Sequence, residues 1–267
     1  MNCKICKSTT QPFGEAKVMG KYAASYRRCT RCAFIFVADP TWIEEAYQSP
    51  INKADIGPVN RMVVTSRATK LIIDLVFRKT QQCLDYGSGY GLFVRRMRDL
   101  GYDFKAYDRY CKNLFAADFQ VPRLNGQKFD IATAFEVMEH AESPMETFDE
   151  IFAHADILLF TTDLVPIPTP ALGQWWYYAL EHGQHISFFT AQALEYVASA
   201  FGKKLSTTGA GLHLISHKRI KTRFMRLFVD ETVGKLWELV RSRPSLLMTD
   251  FDRLRKQHIA EVGAQSI

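Results

Sequence analysis

The run Leu84-Asp85-Tyr86-Gly87-Ser88-Gly89-Tyr90-Gly91 closes one apolar segment and opens another with helical spacing at Leu92. Its three glycines let the backbone turn sharply and lie close against a ligand. Upstream, Gln82–Tyr86 reads as a strand. Downstream, Leu92–Leu100 reads as a helix ended by Gly101, and Asp103–Tyr107 as the next strand, finishing at Asp108. The result is a βαβ unit with a glycine loop at its first turn. Asp108 lies 23 residues after Asp85, where a carboxylate can accept both hydroxyls of a ribose. The loop departs from the dinucleotide fingerprint, whose third glycine is replaced here by Leu92. Asp85, at the strand end, would also repel a pyrophosphate but tolerate a cationic, phosphate-free ligand. The competing reading is a tight turn that binds nothing.

The alternation extends outward from this unit. Val63, Leu71, Ile72, Leu75 and Val76 recur at helical spacing within a helix over 59–78. Phe129–Phe135 reads as a strand, Pro144–Ala153 as a helix and Ile157–Thr161 as a strand. A long segment over 163–188 carries three prolines and two adjacent tryptophans. Thr190–Phe201 then reads as a helix N-capped by Thr190, followed by strands Lys204–Thr208 and His213–His217. Strands alternating with helices predict an α/β fold, a mostly parallel sheet covered on both faces.

Two motifs together carry a family resemblance. Asp85–Gly91 is similar to the cofactor loop of class I S-adenosylmethionine-dependent methyltransferases. The stretch Phe129-Asp130-Ile131-Ala132-Thr133-Ala134-Phe135-Glu136-Val137-Met138-Glu139-His140 resembles their fourth-strand motif, in the branch ending Glu-Val-x-Glu-His. The resemblance spans about residues 60–218 and implies a Rossmann-like sheet with S-adenosyl-L-methionine as cofactor. It implies that Asp85, Gly87 and Gly89 line the methionine side, that Asp108 binds the ribose, and that Phe135 and Glu136 border the methionine moiety. Residues near Asp118 and Phe119 are expected to border the adenine.

Methyl transfer is an in-line displacement, so the acceptor must be aligned and often deprotonated. Open α/β sheets bind ligands at the carboxyl ends of their strands, which makes Glu139 and His140 candidate catalytic groups. A packing or capping role is the alternative for His140. The stretch 173–189 combines Trp175, Trp176, Tyr177, Tyr178, Glu181, His182, Gln184 and His185 in one long loop. Long loops in compact domains are often functional. Aromatic faces suit sugar rings or bases, and the polar groups suit hydroxyls. The loop resembles one in bacterial methyltransferases that act with sugar-modification and surface-glycan enzymes, several of which carry an N-terminal cysteine-rich module. His185 is therefore the first candidate base or acceptor ligand. The alternative is that His185 and Phe188 only lock the loop to the core.

Cys3 and Cys6, then Cys29 and Cys32, form two C-x-x-C pairs separated by 22 residues. Two such turns complete a tetrahedral thiolate set, which suits a structural zinc with no open ligand position. A redox role would need only one pair, opening a helix. Val18, Tyr22, Tyr26 and the run Phe34–Val37 add strand signals, as in a zinc ribbon. Cys83 and Cys111 stand apart and read as inert. The expected organisation is a zinc ribbon over 1–38, a linker over 39–58 with a short helix around Trp42–Tyr47, the catalytic domain over 59–218 and a helical extension over 219–267.

A 47% hydrophobic composition supports a packed core and excludes wholesale disorder. The net charge of +6 permits an anionic acceptor without demanding one. With no apolar leader after Met1 and no apolar run near 18 residues, a cytoplasmic protein without a membrane span is expected. In the extension, Phe224, Leu227, Phe228, Leu236, Trp237 and Val240 approximate one helical stripe behind a basic start, and a second helix is expected over 245–260. Packing on the catalytic domain, a dimer contact and peripheral membrane contact are all compatible with it; the oligomeric state is left open. Three functions compete. The first is methylation, on oxygen or carbon, of a nucleotide- or lipid-linked sugar as the small-molecule or glycan acceptor. The second is RNA methylation with the zinc module as grip; the module is expected to be too weakly basic for this, and no Asn-Pro-Pro-Tyr motif follows the fourth strand. The third is a non-catalytic scaffold.

Overall fold

The computed structural model describes residues 1–48 and 55–264. The chain opens with a hairpin, β1 (Thr10–Val18) and β2 (Tyr22–Cys29), followed by β3 (Ile35–Val37) and the short α1 (Ile43–Ala46). Then come α2 (Pro58–Leu75), β4 (Gln82–Tyr86), α3 (Leu92–Asp99), β5 (Asp103–Tyr107), β6 (Ile131–Ala134), α4 (Pro144–His154) and β7 (Leu158–Thr161). The chain continues through β8 (Ser187–Phe188), α5 (Ala191–Ala200), β9 (Lys204–Thr207), β10 (Leu212–Ser216), α6 (Thr222–Phe228), α7 (Glu231–Val240) and α8 (Leu247–Ala264).

The larger sheet has the order β5-β4-β6-β7-β10-β9. Strands β5, β4, β6 and β7 run parallel, and β10 lies antiparallel between β7 and β9. Strands β6 and β7 are almost wholly apolar and buried, as a sheet covered on both faces requires. One face packs Phe148, Phe160, Phe189, Leu194 and Val197; the other packs Ile72, Phe93, Phe104, Leu159, Leu214 and Met225. This is the expected Rossmann-like α/β architecture. The chain leaves β4 toward β5 on one side and returns to β6 on the other. Ligands bind beyond the strand ends at such a reversal.

Several boundaries move. Helix α2 stops at Leu75 rather than Arg78, with a turn from Thr80 to Phe77 after it. Phe129 joins the sheet only through an isolated bridge to Ala155, so β6 starts at Ile131. The apolar stripe expected to form one helix over 224–240 is two, because the Asp230 side chain accepts from the Val233 amide and starts a new helix.

The smaller sheet has the order β1-β2-β3-β8, all antiparallel. Its last strand belongs to the long loop after β7, so the cysteine-bearing strands and that loop share one sheet. A third core of Tyr26, Val37, Trp42, Tyr177, Tyr178 and Phe188 lies between them. Residues 39–48, expected as linker, are packed: Trp42 and Ala46 are buried, and Lys21 and Tyr22 both donate to Glu45 at 2.6 Å. Residues 49–54 of the expected linker, and 265–267, lie outside the described residues.

One charge expectation is corrected. Residues 1–38 hold seven Lys or Arg against the single acid Glu15, an excess equal to the net charge of the whole chain. The cysteine module is therefore strongly basic, and the rest of the chain is balanced. Among the described residues, no helix is long and apolar enough to cross a membrane.

Candidate active site

A cleft of about 2130 Å³ opens above the carboxyl ends of β4, β5 and β6. That is well above the roughly 300–1,000 Å³ of a single small-ligand pocket, so it has room for two ligands.

The glycine loop forms its floor. Gly87, Gly89 and Gly91 all have positive φ. A Cβ on Gly91 would lie 2.1 Å from Asn113 Oδ1, whereas one on Gly89 would have no neighbour within 4 Å. Gly91 is thus required by packing, and Gly89 leaves its backbone open to the cleft. Ser88 Oγ is buried and has no hydrogen-bond partner among the described residues. Asp108 accepts from the amides of Gly89, Tyr110 and Cys111, each at 2.8 Å. These bonds fix the carboxylate across the mouth of the βαβ unit, and its oxygens retain lone-pair capacity. Asp85 is buried beneath the loop and accepts from Thr133 Oγ1 at 2.6 Å. Burial raises its pKa from 3.8 to about 7, with smaller opposing and reinforcing effects from Thr133 and Asp108.

Phe135 stands at the end of β6, edge-on to Phe93 at 4.9 Å between centroids. Glu136 follows with φ of 55°, a left-handed conformation unusual for a glutamate. Thr161 Oγ1 donates to its carboxylate and accepts from its amide. Such strain is held only where the surroundings over-determine it. Of the residues named for the adenine end, Phe119 is buried beneath the Arg98 guanidinium at 3.8 Å, Asp118 is exposed, and neither lines the cleft. Tyr110, Cys111 and Phe115 occupy that wall instead.

The opposite wall is built by the one-turn helix Met138–His140 and the loop before β8. The two are tied together by Ile186 N–H to Glu139 O at 2.9 Å and Ser187 Oγ–H to Ala141 O at 2.7 Å. His140 Nδ1 bonds the carbonyl of Gln184 at 3.0 Å, and His185 Nδ1 bonds that of Tyr177 at 2.8 Å. A carbonyl only accepts, so each Nδ1 carries the proton and each Nε2 a lone pair. Burial pushes the pKa of His140 down to about 4 and that of His185 to about 3, so both are neutral at pH 7. Glu139 is 0% exposed; neither carboxylate oxygen makes a hydrogen bond of ordinary geometry among the described residues, although the Tyr177 hydroxyl lies near enough to favour the ionised form. Burial, with Glu136 nearby, raises its pKa well above the usual range. The structure thus brings Glu139, His140 and His185 together across 45 residues of chain.

Trp175 packs inward on Tyr178 and Phe188, while Trp176 lies 73% exposed on the cleft rim. Sequence reasoning did not single out Tyr47, which stacks on Tyr110 and meets His140 edge-on. Nor did it find Arg61, which approaches Glu136 at 3.9 Å. Only tertiary packing brings these groups to the cleft.

The four cysteines of the module are buried together. Cys3 Sγ lies 3.7 Å from Cys32 Sγ, and Cys6 Sγ 3.4 Å from Cys29 Sγ. Tetrahedral zinc with bonds of about 2.3 Å sets its sulfurs about 3.8 Å apart.

A mostly parallel sheet with a glycine loop and a large cleft over its strand ends is the frame of a Rossmann-like fold. Residues 63–207, over half of the chain, match the model of a methyltransferase domain, and the chain belongs to that family. No curated protein matches it. Among solved structures it is similar to an O-methyltransferase family protein from Burkholderia thailandensis, at 15% identity over 60% of this chain and 58% of that one, TM-score 0.43. It is also similar to the 1,6-didemethyltoxoflavin N1-methyltransferase of the same organism, at 12% identity over 75% and 96%, TM-score 0.48. A third is CalO1, a methyltransferase of calicheamicin biosynthesis, at 17% identity over 66% and 61%, TM-score 0.43. The chain thus spans less than two thirds of the length of the first and third of these.

Proposed function

We propose that the protein methylates a sugar carried on a nucleotide or lipid, using S-adenosyl-L-methionine. The observation that carries this reading is the cleft itself, with a glycine loop on one side and a histidine- and aromatic-lined wall on the other. Asp85, Gly87, Gly89, Phe135 and Glu136 would hold the methionine side, and Asp108 the ribose. The fit rests on the Ser88 hydroxyl, buried with no partner among the described residues, the open space at Gly89 and a buried Asp85 that a neighbouring cation would ionise. When bound, the cofactor supplies an electrophilic methyl group on a sulfonium. His185 and His140 line the acceptor side, with Glu139 behind them, where a sugar hydroxyl or carbon gives up its proton. Trp176 offers an aromatic face to the ring. The four cysteines hold a structural zinc, as their sulfur spacing supports.

A second reading, RNA methylation, draws support from the basic cysteine module. Incubation with labelled cofactor and a panel of nucleotide sugars, glycan lipids and RNAs separates the two. Label should enter the sugars, and His185→Ala should lower turnover far more than cofactor affinity. Label entering only RNA, with binding that weakens steeply as salt rises, would end the sugar reading.

A further inference from the structure

Glu139 presents an unusual combination. Its carboxylate is fully buried and makes no hydrogen bond of ordinary geometry among the described residues, with the Tyr177 hydroxyl near enough to favour its ionised form, and two imidazoles stand beside it. One ring nitrogen from each of His140 and His185 and one Glu139 oxygen all lie within 4.8 Å of one another. The rings meet edge-on, with centroids 4.9 Å apart. A buried carboxylate without a partner is costly and calls for a proton or a cation.

We propose that Glu139, His140 and His185 bind a divalent first-row transition-metal ion on the acceptor side of the cleft. Three features favour a metal over a chance cluster. Each histidine is anchored through Nδ1 to a backbone carbonyl, the arrangement that holds metal-ligating imidazoles with Nε2 free. Two imidazoles and one carboxylate suit zinc, iron or cobalt, whereas magnesium and calcium prefer oxygen alone. Metal–ligand bonds of about 2.1 Å would bring the donor atoms to roughly 3–4 Å apart, a small adjustment of side chains already converging. Both histidines line the cleft and Glu139 lies behind them, so the remaining coordination positions face the acceptor. An ion held this way would orient acceptor oxygens. It differs from the closed four-cysteine set, which has no open position.

The assignment builds on the acceptor-side reading above, and cofactor affinity measured in the same samples separates the two. The full chain, with zinc in its cysteine site, is titrated with cobalt(II) at neutral pH and followed by calorimetry and visible absorption. One further equivalent is expected to bind, with ligand-field bands and no sulfur-to-metal charge transfer. His140→Gln and His185→Gln should each weaken it by at least about tenfold, and Glu139→Gln should abolish it, while all three still bind the cofactor. If Glu139→Gln fails to fold, the two cleft-wall variants carry the test. No further equivalent, one that neither histidine variant weakens, or a thiolate band showing exchange into the cysteines would overturn the proposal. Loss of cofactor binding in wild type would instead strike at the methyl-transfer reading.

Discussion

At the residue scale, the two carboxylates under the glycine loop do different work. Asp108 is held by three backbone amides, so Asp108→Ala removes the proposed ribose acceptor and also leaves those amides unpaired. Charge-assisted bonds are worth about 1.5–3 kcal/mol each, so cofactor affinity should fall by about tenfold to a hundredfold in calorimetry; an unchanged affinity would remove Asp108 from the site. Asp85 makes a prediction in pH. Its folded pKa, about 7, lies above its ordinary 3.8, so the free protein binds the extra proton. Its contribution to stability is complete below about pH 4, falls as pH rises toward 7 and is flat above that. The slope should amount to at most a few kcal/mol, and Asp85→Asn should remove it from urea-melt profiles. A cationic cofactor favours the carboxylate, so binding below pH 7 should release a proton. Calorimetry at pH 6 in two buffers of different ionisation enthalpy measures this, and identical heats in both would place the cation elsewhere. Both carboxylates were legible in the sequence because a strand, a tight turn and a helix fix them locally. Ser88 lay in the same loop, but only the packing around its hydroxyl shows that it has no partner among the described residues.

At the element scale, the cysteine module and the acceptor loop act as one unit. Strand β3 pairs with β8, Trp42 Nε1 donates to Gly183 O at 2.8 Å, Gln184 Nε2 donates to Ala46 O at 2.8 Å, and Thr190 Oγ1 donates to Cys32 O at 2.6 Å. These ties span more than 130 residues, which is why local patterns in the sequence showed a ribbon and a loop but not their union. The consequence can be tested. Cys29→Ser should release about one zinc and loosen β3 against β8. Amide exchange over 182–189 should then rise and turnover should drop several-fold, while cofactor affinity holds because the glycine loop makes none of these ties. Trp42→Phe, which keeps the packing and loses one bond, should cost about 1 kcal/mol and give a weaker version of the same exchange pattern. Unaltered exchange in the loop of the Cys29 variant would leave the module as a separate attachment.

At the scale of the whole molecule, the first two C-terminal helices pack over α2, and the end of α6 reaches the cleft at Arg226 and Val229. Their stripe was readable as helix, but its partners were not. Helices α6 and α7 pack on α2, Trp237 Nε1 donates to Asp74 at 3.0 Å, and α8 enters through Asp250. There Arg98, 5% exposed, makes two bonds to Asp250 at 2.7 and 2.9 Å, as well as one to the Phe104 carbonyl and one to Asp103. The Arg98 guanidinium also covers the ring of Phe119, next to the strand that ends at Asp108. Asp250→Ala would leave this guanidinium buried with only part of its partners. Breaking a buried pair costs about 3–5 kcal/mol. Because Asp103 and a carbonyl remain, about 3 kcal/mol is expected, or a fall of roughly 6–12 °C in melting temperature for a chain of this size. Replacing Arg98 and Asp250 together with Met and Leu should recover much of that loss, since an apolar pair of similar volume avoids the stranded charge. Cofactor affinity at a temperature where each variant is folded should stay near wild type, because neither residue lines the cleft. A single Asp250 variant as stable as wild type would show that the extension rests on the domain without bracing it, and would make removal of α8 tolerable.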